Sequence, residues 1–188
     1  MAGAFEVNQS PDCASISIVA SAVEFHQTGQ KPFWIETVSP LRLAIVPRPG
    51  GAEWLEGDLR LLKSEGVDVL VSLLEPEETR SLDLERERAA CSAAGISFVN
   101  FPMPEGQVPR SRSCFLTFAQ LLHRRASEGL SVGVHCRVCI GRSAVLLATV
   151  LRLEGLSVKD AFERISSARG LRVPQTAEQA RWVAGLAI

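Results

Sequence analysis

The sequence predicts an α/β fold: a single domain with a mostly parallel central sheet of about five strands and helices on both faces. Short runs of β-branched and apolar residues alternate with segments whose apolar residues recur at helical spacing. With 188 residues, the chain is long enough for one sizeable core. The stretch 131–150 is typical of a buried strand, a tight loop and a helix that is apolar nearly all round.

Composition narrows the class of protein. Apolar residues make up 46% of the chain and charged residues 22%, as in ordinary globular proteins, and no apolar run approaches the roughly 20 residues of a spanning helix. The net charge of −1 gives no reason to expect nucleic acid or a membrane as an electrostatic partner. Because the N-terminus lacks the pattern of a signal peptide, we expect a cytoplasmic location.

The five cysteines show no regular framework, which argues against a secreted disulfide scaffold. Cys136 and Cys139 are spaced like half of a zinc site. No second pair completes four ligands, so no metal is expected.

Two regions are predicted: an N-terminal extension at 1–30 and a domain from 31 to 188. Within the extension, residues 15–25 are strand-like and could add an edge strand or form an arm. In the domain, two short strands flank Ser39 and Pro40, which is typical of a hairpin. The predicted strands lie at 33–38, 41–46, 67–74, 96–101 and 131–135.

Helices are predicted between and after these strands. Residues 55–66 carry leucines on one face and end at a glycine. Ser157 with Asp160, and Thr176 with Gln179, are spaced as capping pairs for the last two helices. Further helices are predicted at 83–94, 113–127 and immediately after the central loop, with a short helical segment before 83.

The central loop joins the strand at 131–135 to a helix and contains Cys136 and Arg142, with His135 before the cysteine and Ser143 after the arginine. A loop that enters a helix presents unpaired N–H groups at the positive end of the helix dipole, which suits a phosphate dianion. An arginine adds a planar pair of donors for two phosphate oxygens. The same positive field lowers the pKa of a cysteine and so favours a thiolate nucleophile.

Taken singly, these residues have simpler interpretations: Cys136 as a buried apolar thiol, Arg142 as a surface residue, and His135 as a hydrogen-bonded strand residue. Together they are harder to obtain by chance. The sequence here resembles the cysteine-dependent protein tyrosine and dual-specificity phosphatases, whose shared pattern is His-Cys-x5-Arg-Ser/Thr. His135, Cys136, Arg142 and Ser143 match it position for position. Cys139 departs from it, because most members carry glycine there.

The resemblance covers 33–188 and matches the layout of the compact bacterial and archaeal members. The proline-bracketed loop 101–109 resembles the family's general-acid loop, with Glu105 where aspartate is usual. The extra methylene displaces the carboxyl by about 1 Å, which can be costly in rate. The segment 173–179 resembles the one whose glutamine positions the hydrolytic water, and Gln175 matches that glutamine. Gln179 is spaced as a capping residue for the last helix, and both interpretations can hold for a glutamine there.

The resemblance implies a thiolate mechanism that needs no cofactor or metal. Cys136 would attack phosphorus, Glu105 would protonate the leaving oxygen, and Gln175 would position water. His135 would orient the cysteine, and Ser143 would donate a hydrogen bond to its sulfur. The residues expected to hold the phosphate oxygens are Arg137, Val138, Cys139, Ile140, Gly141 and Arg142.

Two features stay open at this stage. One carboxylate of the acidic loop 75–78 could orient Arg142, but the sequence does not say which. Cys139 could form a disulfide with an oxidised Cys136, or it could pack behind the loop as a small apolar side chain.

A phosphorylated protein is the expected substrate, with phosphotyrosine first and phosphoserine or phosphothreonine as alternatives. A phosphoinositide is disfavoured because Arg137 and Ile140 stand where family members acting on those lipids tend to carry lysines. A phosphate-binding pseudophosphatase and a sulfurtransferase are the alternatives from other classes. The sequence does not determine the oligomeric state.

Overall fold

The computed structural model describes residues 30–37 and 40–188, so the predicted extension at 1–30, except for its last residue, lies outside the described part. A five-stranded sheet has the order β1-β2-β5-β3-β4. The edge strand β1 is antiparallel to β2, and the other neighbours are parallel. The predicted sheet is therefore confirmed, although β1 is shorter than expected. The strands are β1 Phe33–Trp34, β2 Arg42–Ile45, β3 Val69–Ser72, β4 Ser97–Asn100 and β5 Ser131–His135.

Helices cover both faces of this sheet, as predicted. One apolar layer lies between the sheet and α1 and α3, and the larger layer lies between the sheet and α4 to α7. Within the described ranges, no helix combines the length and apolar character needed to cross a bilayer. The helices are α1 Leu55–Ser64, α2 Pro76–Ser81, α3 Glu87–Ala93, α4 Arg112–Ser127, α5 Arg142–Leu153, α6 Val158–Arg169 and α7 Ala177–Ala184.

The two predicted helix caps are present. The hydroxyl of Ser157 accepts a hydrogen bond from the backbone N–H of Asp160 at 3.1 Å. At the start of α7, Thr176 and Gln179 form a reciprocal capping box, with distances of 3.2 and 3.3 Å. These bonds satisfy N–H groups that a helix start otherwise leaves without partners.

The centre of the fold is β5 followed by α5. All five residues of β5 are buried, and so is each residue from Arg142 to Leu151. Because β2, β5, β3 and β4 are parallel, the loops after these strands meet at one edge of the sheet. The loops that carry Cys136 and Glu105 therefore meet at that edge. The acidic segment 75–78 lies there too, but it is not a loop as predicted: Glu75 caps α2 and Glu78 lies in its first turn.

Candidate active site

Cys136 follows the last residue of β5 and is only 1% exposed. Its pKa lies well below the ordinary value for a thiol, and a hydrogen bond from the side chain of Cys139 is the largest cause. Burial opposes this shift, while the Ser143 hydroxyl, the Arg142 charge and the Ser143 backbone N–H support it. The Ser143 hydroxyl has no oxygen or nitrogen partner among the described residues, which leaves its proton for the sulfur. The loop therefore favours a thiolate.

Cys139 occupies the loop position where the resembled family carries glycine, and the structure shows a reason for glycine there. Its φ is +57°, in the left-handed region that costs a side chain free energy. Its backbone nitrogen lies 3.2 Å from the Cys136 sulfur. Its own thiol lies 3.1 Å from the Val46 carbonyl oxygen, which is a second acceptor for the proton that it shares with the Cys136 sulfur. Its hydrogen bond to Cys136 and burial raise the pKa of Cys139 well above the ordinary value, so this residue stays a protonated donor.

Arg142 opens α5 and is 2% exposed. Glu78 binds it through two hydrogen bonds, from Nη1 to Oε2 at 2.6 Å and from Nη2 to Oε1 at 2.8 Å. Nη1 also donates to the carbonyls of Leu73 at 3.3 Å and Met103 at 2.9 Å. The guanidinium is therefore held between the loops that follow β3 and β4. Of the carboxylates at 75–78, the one that orients Arg142 is Glu78.

The charges of this pair support one another. Burial alone would lower the pKa of Arg142, but the Glu78 hydrogen bond and the negative charges of Cys136, Glu78 and Glu105 raise it overall. Burial alone would raise the pKa of Glu78, but its bonds to Arg142 and to the Glu75 backbone N–H lower it overall. Both groups therefore stay charged at neutral pH.

Glu105 lies on the loop after β4 and its side chain is exposed. Its negative charge helps to raise the pKa of Arg142, so the carboxyl contributes to the electrostatics of the site. The Met103 backbone anchors one end of the loop on β3, since its N–H donates to the Leu73 carbonyl at 3.1 Å. On the other side of Glu105, the Gln107 carbonyl accepts a hydrogen bond from Gln179 Nε2 at 3.2 Å.

Two glutamine side chains lie against the end of the central loop. A Cβ built on Gly141 would be 3.0 Å from Gln175 Oε1 and 2.9 Å from Gln179 Nε2, which explains glycine at this position. Gln179 is fully buried and is held by the capping box and by Gln107. Gln175 is exposed beside the loop, where a water molecule has access.

Sequence reasoning missed Glu87, which lies beneath the site. Its Oε1 is 3.0 Å from Nε2 of His135, and the two side chains are 2% and 0% exposed. Leu84, Glu87 and Cys91 are spaced at helical intervals, and all three are buried. A glutamate on an otherwise apolar helix face is the sequence signal that could have revealed it.

A groove of about 960 Å³ begins at the central loop, where Ile140 and Gln175 line it, and continues between α6 and α7. Three of its charged residues are basic, namely Lys159, Arg172 and Arg181, and one is acidic, Glu163. Within 30–37 and 40–188, no cluster of three or more histidine, cysteine, aspartate or glutamate side chains is arranged to hold a metal.

The fold is shared with solved phosphatases. Kinase associated phosphatase aligns with a TM-score of 0.71 and 17% identity over 81% of this chain and 90% of its own. Tk-PTP in the active form aligns with a TM-score of 0.67 and 24% identity over 82% of this chain and 95% of its own. Pseudomonas aeruginosa TpbA, a Cys→Ser variant solved in complex with phosphotyrosine, aligns with a TM-score of 0.56 and 18% identity. The alignment covers 83% of this chain and 91% of TpbA. A search of curated proteins gave no significant match.

The chain thus has the fold of the dual-specificity and tyrosine phosphatases, as the sequence predicted. A family model identifies a narrower group. The model described as "Polymorphic toxin system, DSP-PTPase phosphatase" matches residues 46–155, which are more than half of the chain. The chain belongs to this family.

Proposed function

We propose that this protein removes phosphate from phosphotyrosine in proteins through a cysteinyl-phosphate intermediate, with phosphoserine and phosphothreonine as secondary substrates. One observation carries the proposal: Cys136 has a strongly lowered pKa and lies in the same short loop as a buried, oriented Arg142. A thiolate beside a fixed guanidinium provides a nucleophile together with a binding site for the phosphate it attacks.

In the first step, the Cys136 thiolate attacks phosphorus in line, and the bond from phosphorus to the tyrosine oxygen breaks. The amide groups of 137–142 and the Arg142 guanidinium stabilise the equatorial oxygens, where negative charge accumulates. Nη1 of Arg142 is occupied by Glu78 and two carbonyls, and no described residue binds Nε. We assign Nε and the remaining Nη2 proton to phosphate. Glu105 gives its proton to the leaving phenolate oxygen.

In the second step, water attacks the cysteinyl phosphate. Glu105, now ionised, takes a proton from this water, and the Cys136 thiolate leaves as phosphate is released. Gln175 would hold the water, because its exposed amide lies beside Gly141 at the end of the loop. Gln179 is committed to the helix cap and to Gln107, which supports Gln175 for this role.

The groove beside the loop supports a peptide as the bearer of the phosphate. A phosphorylated side chain in the loop would leave its own backbone at the mouth of the groove, near Ile140 and Gln175. Three basic residues against one acidic residue favour acidic neighbours in the peptide. TpbA, which shares the fold, was solved with phosphotyrosine.

We propose that the protein acts in the cytoplasm on phosphorylated proteins, without nucleic acid or membrane as a partner. Cys91, Cys114, Cys136 and Cys139 are all free thiols, which suits a reducing compartment.

The test is hydrolysis of p-nitrophenyl phosphate and of a phosphopeptide panel in the presence of a chelator. The panel pairs phosphotyrosine, phosphoserine and phosphothreonine with acidic or basic flanks and includes soluble phosphoinositides. We expect turnover to be highest on acidic phosphotyrosine peptides. Cys136→Ser should lower the rate by several orders of magnitude and still bind phosphate or vanadate. Binding without turnover in the wild type would indicate a pseudophosphatase, and a preference for phosphoinositides would overturn the protein substrate.

A further inference from the structure

Three polar side chains are buried together in an apolar layer of the protein. Ser72 on β3, His135 on β5 and Glu87 on α3 are at most 2% exposed, and they lie on the side of the sheet that α1 and α3 cover. Ser72 and His135 are register partners in neighbouring strands. The rest of this layer consists of leucine, valine, isoleucine, alanine and cysteine side chains. A carboxylate and an imidazole are expensive to bury among such groups.

The cost of burying the Glu87 carboxylate is offset by its contact with His135. Oε1 of Glu87 lies 3.0 Å from Nε2 of His135. No described side chain or backbone group makes a well-aligned hydrogen bond to that oxygen or to either ring nitrogen. The contact is therefore a close approach of a carboxylate oxygen and a ring nitrogen, and not an aligned hydrogen bond. A carboxylate this close to a buried ring limits where the ring can lie.

The negative charge of Glu87 also affects Cys91, which lies in the same apolar layer. Cys91 lies one helical turn after Glu87 and is fully buried. Burial is the largest cause that raises the pKa of Cys91 to about 12; the Glu87 charge adds to it and Arg88 opposes it. Besides Cys91, Glu87 shares a cavity of about 370 Å³ with polar and charged residues of the neighbouring elements, namely Ser72, Thr79, Arg80, Glu85, Arg88 and Asn100.

The pair is connected directly to the nucleophile. His135 is the residue before Cys136, and its carbonyl accepts a hydrogen bond from the Leu73 backbone N–H at 3.1 Å. Glu87 contacts the ring nitrogen that is farther from the backbone. The ring that Glu87 contacts thus belongs to the residue directly before Cys136, so a displacement of this ring is passed on to the start of the loop.

We propose that Glu87 is a positioning residue, which acts through His135 to hold the start of the phosphate-binding loop, so that the groups facing Cys136 keep their contacts with its sulfur. The proposal rests on the proposed function for its catalytic meaning, but its effect on the thiol can be measured without turnover. The groups facing Cys136 itself, namely Cys139, Arg142 and Ser143, are not substituted when Glu87 is replaced.

The test compares Glu87→Gln, which keeps the shape and loses the charge, with Glu87→Leu, which removes both polar atoms. Glu85→Gln, an exposed glutamate two residues earlier, is the matched control. The measurement is the rate of iodoacetamide alkylation of Cys136 against pH, followed by mass spectrometry of the peptide that contains it. The pH dependence of kcat/KM and the melting temperature are recorded in parallel.

We expect the alkylation midpoint to move to higher pH in both Glu87 variants by about one unit, which lowers kcat/KM about tenfold below both midpoints. The control should leave midpoint and rate unchanged. If Glu87→Leu does not fold, Glu87→Gln decides alone. A folded Glu87→Gln protein with a lower melting temperature and an unchanged midpoint would overturn the proposal. A shifted midpoint in a protein without phosphatase turnover would contradict the proposed function and leave this inference standing.

Discussion

Glu78 and Arg142 form a two-fold hydrogen-bonded pair, with distances of 2.6 and 2.8 Å, between residues 64 positions apart in the chain. The pair joins α2 to the first residue of α5, the helix that follows the central loop. Parallel bonds from a carboxylate hold the plane of a guanidinium and limit its rotation. Glu78 therefore determines where Arg142 points before any phosphate binds.

Glu78→Gln should weaken both catalysis and phosphate binding. The amide cannot accept two charge-assisted hydrogen bonds, and such bonds contribute about 1.5–3 kcal/mol each, so we expect kcat/KM for p-nitrophenyl phosphate to fall about 10–100-fold. Vanadate affinity should fall in parallel. Glu77→Gln is the matched control, because Glu77 is exposed and pairs only with Arg80 in the described residues. Equal kinetics in the two variants would show that Arg142 does not need Glu78.

Glu105→Gln should separate substrates by their leaving groups. Phosphotyrosine needs a proton on its leaving oxygen, so kcat should fall by about 10²–10⁴-fold. p-Nitrophenyl phosphate should lose less, because its leaving group is a weaker base. The basic limb of the kcat/KM profile reports loss of the acid's proton, so it should vanish in this variant. A basic limb that persists would assign the acid to another carboxyl group, and Glu75 would be the next residue to test.

Cys139→Gly should raise the pKa of Cys136, because the Cys139 hydrogen bond is the largest cause of its lowering. Glycine also accepts the positive φ at this position without strain. The reaction needs the thiolate, so the acidic limb of kcat/KM should move to higher pH. Below both midpoints the variant should be slower, and above both the rates should converge. Cys139→Ser keeps a donor and should move the limb less; equal limbs in all three proteins would contradict the assignment.

Cys139 should also protect the nucleophile from oxidation. Peroxide would convert the Cys136 thiolate to a sulfenic acid, and the Cys139 thiol would then displace water to form a disulfide. The structure places Cys139 in the core behind the loop and in hydrogen-bond contact with Cys136. Its thiol is therefore both buried, as packing requires, and close to Cys136, as a disulfide requires. We expect dithiothreitol to restore more activity in the wild type than in Cys139→Ser after peroxide treatment. Equal recovery, with no Cys136–Cys139 disulfide in mass spectrometry, would leave Cys139 as a packing residue.

The sequence by itself determined the sheet class and the central loop. The strand β5, the loop and α5 are contiguous in the chain, so the spacing from Cys136 to Arg142 already places both residues in one short loop. Helix caps such as Thr176 with Gln179 were equally readable, because capping depends on neighbours three positions apart. Interactions confined to one stretch of chain can be predicted from residue type and spacing.

The tertiary structure alone decided which distant residues serve this loop. Glu75, Glu77 and Glu78 are equivalent in sequence, and only the packing of α2 against the start of α5 selects Glu78 for Arg142. Glu87 reaches His135 because α3 covers the same face of the sheet as that strand residue. These contacts depend on how separate elements are placed relative to one another. That placement results from burial of their apolar faces, and because the hydrophobic effect is non-directional, the sequence does not show which residues it brings together.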